Sequence, residues 1–129
     1  MPALSIMIKP ASALCNLRCE YCFYRDVAEN RAQSEYGIMA RETARALIQK
    51  ALTFADGALV SFTFQGGEPT LAGLEYYENF ISDLKERNTK NSPVFLSIQT
   101  NGTLINGDWA KFLAENNFLT GLSLDGDFD

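Results

Sequence analysis

Stretches with a two-residue period alternate along this chain with stretches of helical period, and that alternation limits the possible folds more than any other feature. Leu4 to Lys9 reads as a short strand, β1, left at Pro10 because proline cannot continue a central ladder. From Ala40 the period becomes helical. Ala44, Leu47, Ile48, Ala51 and Leu52 share one face of α1, which Asp56-Gly57 ends. Leu59 to Gln65 is β2, and Leu74 to Leu84 is α2, with Leu74, Tyr77, Phe80, Ile81 and Leu84 on its apolar face. Val94 to Thr100 is β3. Trp109, Phe112 and Leu113 face inward from α3, closed by Asn116-Asn117, and Phe118 to Asp125 is β4. The order predicts an α/β fold with about four parallel strands and right-handed crossovers.

The strands are not equally apolar on both sides. Val60, Phe62 and Phe64 share one face of β2, while Ser61, Thr63 and Gln65 share the other. On β3, Val94, Leu96 and Ile98 oppose Phe95, Ser97 and Gln99; on β4, Leu122 and Leu124 oppose Gly121, Ser123 and Asp125. A sheet covered by helices on both faces would be apolar on both. One greasy face and one largely polar face predict helices on the outer side only and a ligand cavity within. Lys9, Gln65, Gln99 and Asp125 fall at the carboxyl ends of their strands on the inner face, the end where parallel α/β barrels keep their chemistry.

All three cysteines, Cys15, Cys19 and Cys22, lie between β1 and α1 with the spacing C-x3-C-x2-C. Thiolates are soft ligands, suited to an iron–sulfur cluster or to zinc. A cubane cluster normally takes four cysteines, so three leave one iron open to a substrate or cofactor. The alternative is zinc, with Asp26 or Glu20 as fourth ligand, since the chain has no histidine. A net charge of −5 and the lack of any Lys/Arg block argue against a nucleic-acid surface. No stretch is apolar and long enough for a signal peptide or a bilayer span, and clustered cysteines without a leader point to a reducing cytoplasm.

Directly after β2 comes Gly66-Gly67-Glu68-Pro69. Glycines let backbone approach a ligand closely, and a carboxylate can accept a hydrogen bond from an ammonium. A glycine pair before a helix is common by itself. Beside the cysteine spacing, it makes the chain resemble the radical S-adenosylmethionine (SAM) enzymes. That resemblance implies a partial (β/α)6 barrel of TIM type, of which residues 1–129 are the amino-terminal portion. It implies a [4Fe-4S] cluster on Cys15, Cys19 and Cys22 whose open iron is chelated by SAM. Glu68 with Gly66 and Gly67 would hold the methionine amino group, Tyr21 and the backbone near Phe23 the adenine, and Ser123 the ribose. Thr100-Asn101-Gly102 is read as a turn.

The runs Cys22-Phe-Tyr-Arg, Tyr36-Gly-Ile-Met, Phe64-Gln-Gly-Gly-Glu-Pro-Thr-Leu, Gln99-Thr-Asn-Gly-Thr-Leu-Ile and Gly121-Leu-Ser-Leu-Asp-Gly resemble, in order, the anaerobic sulfatase-maturating enzymes. These oxidise a cysteine or serine of a sulfatase to Cα-formylglycine. By position, Tyr24, Gln65 and Gln99 would line the substrate end of the cavity, with Gln65 also counted toward the cofactor. The resemblance implies a sulfatase polypeptide as substrate and a ferredoxin or flavodoxin as electron donor. It also places the catalytic base and a cysteine-rich domain with auxiliary clusters downstream of Asp129, so that this portion alone would not turn over. Exposed strand edges predict self-association. The rival readings are another peptide-modifying radical SAM maturase and a non-catalytic zinc or interaction module.

Overall fold

Burial alternates along the strands as their sequence pattern requires. In the computed structural model, which describes residues 3–12 and 37–123, Val60, Phe62 and Phe64 are fully buried while Ser61 and Thr63 between them are half-exposed. The elements run β1 (Leu4–Ile8), α1 (Arg41–Ala55), β2 (Val60–Phe64), a 3₁₀ turn (Pro69–Ala72), α2 (Leu74–Arg87), β3 (Val94–Thr100), α3 (Gly107–Glu115) and β4 (Phe118–Leu122). The strands form one parallel sheet in the order β1-β2-β3-β4. Each strand lies beside its successor, so the sheet is wound in one direction, as in a barrel.

The helices share a single core with one face of the sheet. Ala44, Ile48, Ala51, Leu52 and Ala55 of α1, Tyr77, Phe80, Ile81 and Leu84 of α2, and Trp109, Phe112 and Leu113 of α3 all enter it. Aromatic rings form its centre. Phe64 meets both Tyr77 and Phe80 edge-on at 5.0 Å between ring centres, and Tyr77 meets Trp109 at 5.3 Å. Such contacts add ~1 kcal/mol each to the burial itself. A half-exposed arginine and a buried aspartate join the first two helices: Arg41 donates from Nε and Nη2 to the two oxygens of Asp83, at 3.2 and 3.0 Å. That bond first, and then the charges of Arg41, Arg45 and Arg87, hold the Asp83 carboxyl below its ordinary range despite its burial.

Element ends follow local chemistry. Asp56 takes a left-handed conformation (φ 48°) and its N–H closes α1 on the Leu52 carbonyl. The Asn106 side chain accepts the Trp109 N–H at 3.0 Å and caps α3.

Strand register sorts the open face into rows. Ser5, Ser61 and Phe95 lie side by side nearest the amino ends; Met7, Thr63, Ser97 and Leu119 come next; Gln99 and Gly121 lie nearest the carboxyl ends. Met7, Phe95 and Leu119 are 59%, 49% and 62% exposed, so the expected largely polar face mixes apolar side chains with its serines and threonines and is free of large apolar side chains only in the Gln99–Gly121 row. Leu122 corrects a second expectation. It lies on the helical side as its alternation requires, but it is 59% exposed, covered by no described helix and placed against Gly102.

Candidate functional site

The carboxyl ends of β1, β2, β3 and β4 bring polar side chains together across the sheet. Lys9 lies over Gly66, where an added Cβ would come within 2.7 Å of the lysine Cγ. Gly66 also has a φ of +88°, which a residue with a side chain rarely adopts. Gln65 is half-buried and its amide donates to the Met7 sulfur. Ser97 donates to Thr63 at 2.9 Å, and Gln99 donates from Nε2 to the Ser123 hydroxyl at 2.8 Å. Gly121 makes room for that last contact, since a Cβ there would stand 2.1 Å from Gln99 Oε1. Gln65, Gly66, Gln99 and Ser123 are thus gathered at one end of the sheet.

Behind this row, the turn after β2 is fastened by a buried carboxylate. Glu68 is 1% exposed. Its Oε2 accepts from the Thr70 N–H at 3.2 Å, from the Thr70 hydroxyl, and from the Thr100 hydroxyl at 2.6 Å. Its Oε1 accepts from the Asn101 N–H at 2.7 Å. Burying a carboxylate is costly unless such donors replace water, and here hydroxyls and backbone N–H groups from two turns do so. Pro69 begins the 3₁₀ turn, where its missing N–H costs nothing, and the Tyr77 hydroxyl donates to its carbonyl at 2.8 Å. Burial first, then the electrostatic influence of neighbouring Tyr76 and Glu68, pushes the Tyr77 phenol well above its ordinary value, so it remains a protonated donor. Burial also pushes Tyr76 up to about 12.

Thr100-Asn101-Gly102 is the turn the sequence led us to expect. Asn101 Oδ1 accepts from the Thr103 N–H and hydroxyl at 3.0 and 2.8 Å, and Gly102 has a φ of +78°. Cys15, Cys19, Cys22, Tyr21, Phe23, Tyr24 and Asp125 lie outside the described residues. Among the described residues, no group of three His, Cys, Asp or Glu side chains is placed to hold a metal ion. One hollow of about 210 Å³ lies on the helical side, beside Arg87 and Lys90, away from the carboxyl ends of the strands.

Thr70, Thr100 and Gly121 are the residues of this end that sequence reasoning passed over. A signal existed for Thr100. It continues the alternation of Val94, Leu96 and Ile98, so a hydroxyl falls where the buried face calls for an apolar group, and a buried hydroxyl must have a partner.

A family model described as the radical SAM superfamily matches residues 10–129. A cysteine-type anaerobic sulfatase-maturating enzyme of Clostridium perfringens is 53% identical over 98% of this chain and 34% of its own length. A serine-type anaerobic sulfatase-maturating enzyme of Bacteroides thetaiotaomicron is 35% identical over 95% of this chain and 30% of its own. The solved structure described as native anSMEcpe with bound AdoMet and Cp18Cys peptide superposes with a TM-score of 0.87 at 51% identity, covering 98% of this chain and 32% of that one. The chain therefore spans about a third of the length of these relatives.

Proposed function

The chain belongs to the radical SAM superfamily, whose cofactors are a [4Fe-4S] cluster and SAM, and from that premise we propose that it is the cofactor-binding portion of an enzyme that oxidises a sulfatase side chain to Cα-formylglycine. The observation that carries the reading is the Gly66-Gly67-Glu68-Pro69 turn, set at the carboxyl end of β2 beside the row of Lys9, Gln65, Gln99 and Ser123. Three thiolates with no histidine form a donor set soft enough for a cluster, and one short of the four that would close it. Cys15, Cys19 and Cys22 would hold it. When bound, the pair supplies an electron and a 5′-deoxyadenosyl radical that removes a hydrogen atom from the substrate Cβ.

The chain's own residues bind and orient. In this reading the backbone of Gly66 and Gly67 approaches the methionine end of SAM, and the fastened Glu68 keeps that turn in place. Ser123 meets the ribose, while Tyr21 and the backbone at Phe23 meet the adenine. Gln99 is already held by Ser123, so its amide is pre-positioned toward the substrate end together with Gln65 and Tyr24. The base is not among these residues. We place it, with the remaining strands and the auxiliary clusters, in polypeptide outside this sequence, of which residues 1–129 are the amino-terminal portion. A ferredoxin or flavodoxin in a cytoplasmic setting would supply the electron. Among the described residues no helix is long and apolar enough to cross a membrane.

Greater identity to the cysteine-type relative favours a cysteine substrate. Anaerobic incubation of the cluster-loaded enzyme that contains this chain with Cys- and Ser-containing sulfatase peptides tests this by mass. Formylglycine should form faster from the Cys peptide. A thioether crosslink, or no change in mass beside active SAM cleavage, would point to another peptide maturase.

A further inference from the structure

We propose that Thr100 is a positioning residue of the SAM site, one that sets the spacing between the Gly66-Gly67-Glu68 turn and Ser123. The inference deepens the function proposed above and rests on it. Thr100 is the last residue of β3 and is 1% exposed. Its hydroxyl donates to Glu68 Oε2 at 2.6 Å and accepts from the Gly102 N–H at 3.1 Å. Its carbonyl accepts the Ser123 N–H at 2.8 Å. One buried residue thus bonds to the turn after β2, to its own turn and to the end of β4. Those first and last partners are the segments assigned to the methionine and ribose ends of the cofactor.

Glu68 is the other half of the device. Its two oxygens take donors from Thr70, Thr100 and Asn101, and the side chain is turned into the protein rather than toward the open end of the sheet. The carboxylate therefore serves the site by fixing the turn, and the glycine backbone is the part left to meet an ammonium. This differs from the direct contact that the sequence resemblance implied for Glu68. A carboxylate bonded at four points across two turns leaves little freedom for the tips of β2 and β3 to part. The Ser123 N–H on Thr100 extends the tie to β4. A ligand spanning the three tips then meets a spacing fixed before it arrives, which lowers the ordering cost of binding.

The test uses SAM itself, titrated into the cluster-loaded protein and followed by the cluster's absorbance and EPR, with thermal unfolding measured alongside. Thr100→Val keeps the shape and removes the hydroxyl; Thr100→Ser keeps the hydroxyl. Losing one hydrogen bond to a charged group predicts that SAM affinity falls about tenfold in Thr100→Val and stays within about twofold in Thr100→Ser. Glu68→Gln should weaken binding as well. The double variant Thr100→Val/Glu68→Gln should bind about as the weaker single does, because both break the same tie. Wild-type affinity in Thr100→Val beside weakened binding in Glu68→Gln would overturn the proposal, as would losses that multiply in the double variant. A merely structural Thr100 would lower the unfolding temperature and leave SAM affinity alone. If Thr100→Val does not fold, amide exchange in the wild-type protein decides. SAM should slow exchange at Asn101 and Ser123 together, and slowing at neither would reject the tie. A cluster-loaded wild type that does not bind SAM at all would instead sink the functional reading itself, and the positioning role with it.

Discussion

An alanine at position 121 would put its Cβ 2.1 Å from Oε1 of Gln99, closer than any real contact allows. The glutamine amide would have to swing away, breaking its bond to Ser123. Gln99 is exposed and only the far end of its side chain would have to move, so little stability is at stake. Gly121→Ala should therefore keep an unfolding temperature within a few degrees of wild type while lowering peptide turnover about as far as Gln99→Ala does. Turnover equal to wild type would show that the Gln99 amide has no part in placing the substrate. The glutamine's place at the strand end was legible from alternation alone. The glycine's role was not, because it depends on how far a neighbouring side chain reaches across the ladder. The same limit hid the partners of Glu68. A Gly-Gly-Glu-Pro run shows that a carboxylate follows a permissive turn, but whether it faces a ligand or the protein depends on donors about thirty residues away.

Between elements, the contact most open to test is the one between α1 and α2. Asp83 is 1% exposed and bonded by both Nε and Nη2 of Arg41, whose own side chain is 49% exposed. Solvent on the arginine side weakens the pair, so Asp83→Asn should cost roughly 1–3 kcal/mol, mainly as lost charge-assisted hydrogen bonds. The carboxyl titrates lower in the folded protein than its ordinary 3.8, and its contribution is present above that value and lost as pH falls through the lowered folded value. The stability gap between wild type and Asp83→Asn should hold near neutral pH and close in acid below about pH 4. A gap unchanged down to the acid transition would rule out ionisation as its source. The helix itself was easy to read, since its apolar residues recur with the right period. An aspartate on the buried side of α2 was not explained by that period. Its reason is an arginine on another helix, 42 residues earlier.

At the scale of the molecule, the described helices cover one side of the sheet, and no described element covers the other. β1 and β4 have no further strand beside them among the described residues, and Met7, Phe95 and Leu119 stand out from the open face. Purified alone, residues 1–129 should self-associate, and light scattering that reports a monomer at high concentration would count against this. Strand order and the helical side followed from the sequence, because alternation and crossover chirality leave few other solutions. Leu122 shows where such reading stops: its parity was right, but parity does not say whether anything covers it. The central claim is that three thiolates hold a cubane with one iron open to SAM at this end of the sheet. EPR of the anaerobically reconstituted, reduced protein, recorded before and after SAM is added, tests it most directly. A signal from a reduced [4Fe-4S] cluster whose shape changes with SAM is the predicted result, and a colourless zinc protein, or a cluster signal indifferent to SAM, would contradict it.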